Sequence, residues 1–175
     1  MLSDELINCF KDTFQISIYT RVSYNTNYSI KSNKVYMEGF VSTQKRKEEH
    51  AVINICSGTT FSIVRNYLQY GRVAVLNFAN PVIPGGGVGN GAMAQEECLC
   101  RSSNLYACIS ASNVYEEYYG YHRNLKNYFY SDRLIYTKDV TVFKNDNIVP
   151  QIMPQEYWFR FKQKFYISSS NKRHS

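Results

Sequence analysis

The sequence predicts an α/β fold in which helices cover both faces of a largely parallel sheet, and two observations carry this. Apolar segments at 51–56 and 72–78 flank a helical stretch at 61–69. Strand, helix, strand in that order implies parallel pairing with a right-handed crossover. Further helical periodicity stands on either side of this unit, and buried parallel strands need helices on both faces. At 175 residues the chain suits one domain able to bury a core.

Each element has its own warrant. Leu2, Leu6, Ile7, Phe10 and Phe14 recur at helical spacing over residues 3–14, with Asp4 and Glu5 suited to a first turn. Residues 20–50 are polar and rich in Tyr, Asn, Ser and Lys, so a long connection is expected there. A short strand is expected around 35–41, and the Lys/Glu run before His50 reads as a solvated loop. Ala51-Val-Ile-Asn-Ile-Cys56 is a short apolar strand, and Ser57-Gly-Thr-Thr60 offers a cap for the helix at 61–69. Gly71 stops that helix before a buried strand at 72–78. Helices follow at about 92–102 and 105–112. The tyrosine-dense span 114–130 is expected to be partly helical, its rings packed and its hydroxyls wet, rather than a stacking platform for bases. Residues 134–137 and 140–143 read as strands or a hairpin. There is no internal repeat and no domain boundary.

Composition narrows the classes. Hydrophobic content of 44% and aromatic content of 15% argue against disorder. No window holds the long uncharged apolar run of a membrane span. The opening Met1-Leu-Ser-Asp-Glu-Leu is acidic and unlike a secretory signal, so an intracellular protein, cytoplasmic or nuclear, is expected. Five cysteines without a CxxC pair, and three histidines away from ligand spacing, argue against a disulfide framework or a metal site. The net charge of +6 is local: Arg160, Lys162, Lys164, Lys172 and Arg173 follow Trp158 without an acidic neighbour, leaving +1 on residues 1–158. No nucleic-acid face is expected from it.

The chemistry concentrates in Val73-Ala-Val-Leu-Asn-Phe-Ala-Asn80-Pro-Val-Ile-Pro-Gly85-Gly86-Gly87-Val-Gly89-Asn-Gly91-Ala-Met-Ala-Gln95-Glu96-Glu97. An apolar strand gives way to five glycines and then to adjacent carboxylates at a helix start. Backbone that bare can lie against a diphosphate or ribose, because no Cβ holds the ligand away. An NTPase phosphate loop is excluded, since Gly91 is followed by Ala92-Met93 rather than Lys-Ser/Thr. A dinucleotide fingerprint fits weakly at Gly89-Asn-Gly91-Ala-Met-Ala94, too far beyond the strand for the tight turn it needs. A purely structural glycine loop is the remaining alternative. Asn80 stands where open α/β sheets bind ligands, and its amide can pair with ribose hydroxyls. Glu96 and Glu97 point about 100° apart on a helix, so one can hold a hydroxyl while the other works on a scissile bond. Glycosidic cleavage needs a proton for the leaving oxygen, and a glutamate desolvated beside another carboxylate keeps one near neutrality. The arrangement is that of a nucleotide-sugar site with an acid in it.

At these residues the sequence resembles the microbial-type poly(ADP-ribose) glycohydrolases, a branch of the macrodomain fold. Gly85-Gly86-Gly87 and Gln95-Glu96-Glu97 carry the signature, with flanking matches at 75–80, 98–106 and 134–143. The resemblance covers roughly residues 51–158. It implies a macrodomain-like three-layer α/β/α architecture with a mixed, largely parallel central sheet. It also implies hydrolysis of ribose–ribose O-glycosidic bonds in poly(ADP-ribose), free or on modified proteins, without metal or other cofactor. Carried over by position, Glu97 is the catalytic acid. Glu96 and Asn80 hold the distal ribose hydroxyls, Gly85, Gly86 and Gly87 line the diphosphate and ribose, and Gly91 allows the turn into the helix. Family members continue with an Ala-Ala-Pro-like turn, more helices and a second phosphate loop, none of which stands here. The expectation is therefore one domain over 1–158 lacking its C-terminal part, as in a truncated product, and a basic divergent tail over 159–175 that alternates like a strand. A non-catalytic ADP-ribose-binding module and an inactive fragment are the competing expectations.

Overall fold

A computed structural model describes residues 1–41, 50, 52–125, 130–160 and 165–168, the last segment as backbone only. Helices α1 (Leu2–Tyr19) and α2 (Val22–Lys31) lead into strand β1 (Lys34–Tyr36). Helix α3 (Thr60–Tyr67) precedes β2 (Val75–Phe78), and α4 (Gln95–Ser102) follows the glycine loop. Then come α5 (Leu105–Ile109), the single turn α6 (Ser112–Val114), a π-helical stretch Tyr115–Gly120 and α7 (Tyr121–Asn124). Strands β3 (Leu134–Thr137), β4 (Thr141–Val142), β5 (Phe159–Arg160) and β6 (Phe165–Ser168) complete the order.

The described strands form a mixed sheet in the order β1-β3-β6-β2 and a separate β4-β5 ladder. Only β2 and β6 run parallel; β3 is antiparallel to both β1 and β6. The expectation of a largely parallel sheet thus narrows to one parallel ladder among the described strands. Register sets Asn77 and Ile135 level across β6, and period two then gives one sheet face to Val75, Asn77, Ile135 and Thr137, all buried. Leu76 and Phe78, on the opposite face, are 43% and 61% exposed. The core joins Phe61 and Val64 of α3, Leu99 and Cys100 of α4, Leu105 and Ile109 of α5, and Tyr118 and Tyr119, to Val75, Ile135 and Val142 of the strands.

Two expectations are corrected. The apolar segment at 52–56 is not a strand: Val52, Ile53 and Ile55 are more than four-fifths exposed, and no strand–helix–strand unit forms with α3 and β2. The reason lies at β2, whose one edge pairs with β6 while Gln95 occupies the backbone of the other, as shown below. Residues 22–31, expected as connection, are a helix. Its buried positions are Val22, Thr26 and Ser29, and two of these are polar, which hides the apolar stripe. Their hydroxyls are matched inside: Asn104 Nδ2 donates to Thr26 Oγ1 at 3.0 Å, and Ser29 Oγ donates to the Asp139 carbonyl at 3.1 Å. Residues 134–137 and 141–142 are strands, the first of the two forms expected for this stretch, and they do not pair as a hairpin because β3 and β4 belong to different sheets.

The helices expected at the start of the chain and after the Ser57–Thr60 cap are present. α1 runs to Tyr19 rather than Phe14, and Thr59 caps α3 by accepting from the Ser62 N–H at 3.2 Å. Strand pairing runs past residue 158, since Phe159–Arg160 pairs with β4 and Phe165–Ser168 lies between β3 and β2. The polar run at 44–49 and the basic residues Lys162, Lys164, Lys172 and Arg173 lie outside the described residues. No helix among the described residues is long and apolar enough to cross a membrane.

Candidate active site

The site is the junction of the carboxyl end of β2, the loop from Asn80 to Gly91 and the first turn of α4. Gln95 fixes α4 against the strand. Its Oε1 accepts the Phe78 N–H at 2.8 Å and its Nε2 donates to the Leu76 carbonyl at 3.0 Å. The side-chain amide thereby imitates a peptide unit of a neighbouring strand and leaves Glu96 and Glu97 turned inward. Both are buried, at 3% and 7% exposure.

Glu96 ties the loop together. Its Oε2 accepts the Asn80 N–H at 2.7 Å, and its Oε1 accepts the Gly85 N–H at 3.2 Å and Asn77 Nδ2 at 3.4 Å. Burial nevertheless raises its carboxyl to about 7. The three N–H donors pull the other way, and the neighbouring Glu97 charge adds to the rise. Glu97 is bonded differently: Oε1 accepts the Gly87 N–H at 2.9 Å, while Oε2 is buried with no hydrogen-bond partner. An orphaned buried carboxylate oxygen is costly, and Asn77 Oδ1 and the Tyr119 hydroxyl are likewise buried without a partner.

The two carboxylates converge. A Cβ placed on Gly86 would lie 2.5 Å from Glu97 Oε1 and 3.4 Å from Glu96 Oε2, so both oxygens flank one point despite their angular separation on the helix. Gly86 also has φ +56°, a conformation that side chains rarely adopt. The bareness of the triplet therefore serves the glutamates first. The Gly85 and Gly87 N–H groups go to them, and the Gly86 N–H goes to the Ile83 carbonyl at 3.0 Å. Asn80 folds the loop start, its Oδ1 accepting from the Val82 and Ile83 N–H groups at 2.9 Å each. No hydrogen bond engages its Nδ2 among the described residues. Gly91 turns the chain at φ +77° against α1, where a Cβ would lie 2.7 Å from Ser3 Oγ.

The structure thus brings Asn80, Gly85, Gly86, Gly87, Glu96 and Glu97 together and sets Gly91 at the rim, against Ser3. Sequence reasoning missed Asn77, Tyr106 and Tyr119. The signal for Asn77 was available: period two puts it beside Val75 on the buried face of β2, where an unpaired amide is costly. Tyr106 packs edge-on to Phe10 and Phe14 and backs Gly85, whose Cβ would meet its ring at 2.8 Å. Tyr119 is fully buried; burial holds its hydroxyl well above the ordinary range, with the Glu96 charge adding to it. Among the described residues no group of three or more His, Cys, Asp or Glu side chains could hold a metal ion.

Fold and site together define a macrodomain-like α/β domain in which a glycine loop is bonded to paired, buried glutamates. The family model "microbial-type PARG, catalytic domain" matches residues 8–145, and the chain belongs to that family. Solved relatives agree. Poly(ADP-ribose) glycohydrolase from Thermomonospora curvata superposes with a TM-score of 0.75 at 27% identity, covering 94% of this chain and 64% of that one. The same enzyme bound to the inhibitor ADP-HPD gives 0.75 at 28% identity over 95% of this chain and 63% of that one. The enzyme from Deinococcus radiodurans in complex with ADP-ribose gives 0.54 at 34% identity, covering 63% and 41%. The chain spans less than two thirds of the length of these relatives. No curated protein matches it.

Proposed function

We propose that the site hydrolyses ribose–ribose O-glycosidic bonds in poly(ADP-ribose), free or on modified proteins, and releases ADP-ribose. The observation that carries this reading is Glu97, anchored by one oxygen to Gly87 N–H while the other is buried and unpartnered. As general acid, Glu97 gives a proton to the leaving ribose oxygen as the glycosidic C–O bond breaks. The oxocarbenium-like centre then takes up water, whose proton returns to the carboxylate. Glu96, held by Asn80, Gly85 and Asn77, positions the loop and sits at about 7, so a proton is at hand near neutrality. The unengaged Nδ2 of Asn80 is free to meet a ribose hydroxyl. The reading needs no metal or cofactor and no membrane, and it carries an intracellular location, supported by five unpaired cysteines.

The relatives crystallised with ADP-ribose and with ADP-HPD support the ligand class. The test is to incubate the protein with poly(ADP-ribose), follow release of ADP-ribose, and measure ADP-ribose binding by calorimetry in parallel. Release is expected. Binding without release makes the chain a reader of ADP-ribose, and neither binding nor release removes the proposal.

A further inference from the structure

At the end of α1 remote from the glycine loop, a cavity of about 330 Å³ lies between the start of α2 and the segment 155–160. Arg21, Asn25, Thr141, Gln155, Trp158 and Arg160 line it. α1 carries Ser3 against Gly91 at its start and ends at Tyr19, so about 27 Å of helix stands between Gly91 and Arg21.

Both arginines are exposed, and their guanidinium groups are open to a solute. Each is steered by a neutral amide across the gap. Arg21 Nη1 donates to Gln155 Oε1, and Arg160 Nη1 donates to Asn25 Oδ1 at 3.1 Å. An amide oxygen orients a guanidinium without cancelling its charge, and the other N–H donors of each fork remain. Among the described residues no carboxylate lines the cavity, and neither arginine forms an ion pair. Glu156, on the same turn as Gln155, is exposed and outside the lining.

Two like charges held over one hollow repel, and a dianion between them relieves that repulsion. Guanidinium forks also match phosphoryl oxygens, which accept N–H bonds in pairs. A carboxylate or sulfonate brings a single charge and leaves one cation unanswered. Trp158 supplies the apolar wall. Its indole Nε1 donates to the Met153 carbonyl at 2.7 Å, so the ring rather than the N–H is offered to a ligand. The volume exceeds that of a phosphate alone and has room for a ring on that wall.

We propose that this cavity binds a phosphate monoester, its dianionic phosphate between Arg21 and Arg160 and its organic body on the Trp158 ring. The site is separate from the glutamate pair and does not rest on the function proposed above.

Trp158 is the chain's single tryptophan, so its fluorescence reports on this cavity. The probe is phenyl phosphate, titrated at constant ionic strength and about pH 8, where the phosphate carries both charges. Benzenesulfonate, with the same ring and one charge fewer, is titrated beside it. Phenyl phosphate is expected to change the emission saturably, with an affinity about tenfold above that of benzenesulfonate, as for one added charge-assisted hydrogen bond. Arg21→Gln and Arg160→Gln should each weaken phenyl phosphate about tenfold and bring the two ligands level. No saturation, equal affinity for the two ligands in the parent protein, or unchanged affinity in both variants overturns the proposal. The parent titrations decide it alone should either variant fail to fold.

Discussion

Gly86 is the position where backbone and chemistry meet most tightly. A methyl group there would press on Glu97 Oε1 at 2.5 Å in a backbone region unfavourable to side chains. Gly86→Ala is expected to cost about 1–3 kcal/mol in stability and to push the carboxylate off the Gly87 N–H. Thermal melts together with turnover check it, and a variant melting and working like the parent would contradict this geometry. Glu96 makes a separate prediction through pH. Its folded carboxyl is raised to about 7, so the native state holds a proton that the unfolded chain has lost. Stability from this group is full below the ordinary carboxylate range and disappears as pH rises through about 7. Glu96→Gln, which cannot ionise, should flatten that slope; melting temperatures of both proteins between pH 4 and about 8 measure it.

At the scale of elements, α4 acts as a splint, and Gln95 is its fastening. Gln95→Leu removes both bonds to β2 and leaves the Phe78 N–H and Leu76 carbonyl without them. A loss of about 1–3 kcal/mol is expected, read as a lower urea midpoint with unchanged slope. An unchanged midpoint would mean that the edge of β2 is held by something else. The same contact explains what could and could not be read from residue order. Helices α1, α3 and α4 were legible because apolar residues at helical spacing and a Thr59 cap announce them locally. Helix α2 was not, since it buries Thr26 and Ser29 and satisfies them across distant chain. The segment at 52–56 has the composition of a strand but no ladder to join. Strand formation depends on a partner edge, which composition does not reveal. The site was legible as a set of residues, whereas the work of each was not. That the glycine N–H groups serve Glu96 and Glu97 follows only from how the loop closes onto α4.

For the whole molecule, α1 is joined to the distant segment after β4 by a buried charge. Lys144, at 3% exposure, donates to Asp12 Oδ2 at 2.6 Å and to the Cys9 carbonyl at 3.2 Å. The partners are unequal, because Asp12 is 61% exposed. Asp12→Asn strands a buried ammonium, while Lys144→Met leaves a carboxylate already in water. The first should therefore destabilise more, by about 2 kcal/mol once solvent screening of Asp12 is allowed for, and chemical denaturation of the two variants orders them. The reverse order would contradict this account of how α1 is held. The same α1 backs the site, through Ser3 against Gly91 and through Phe10 and Phe14 on Tyr106, so weakening it should loosen the glycine loop as well. All of this machinery holds one free carboxylate oxygen in place. The direct measurement is the rate at which Glu97→Gln protein releases ADP-ribose from poly(ADP-ribose), set beside the parent at equal ADP-ribose affinity. The rate should fall by about 10²–10⁴-fold, the scale of a lost general acid; a variant that binds ADP-ribose and turns over as fast as the parent would contradict the role given to Glu97.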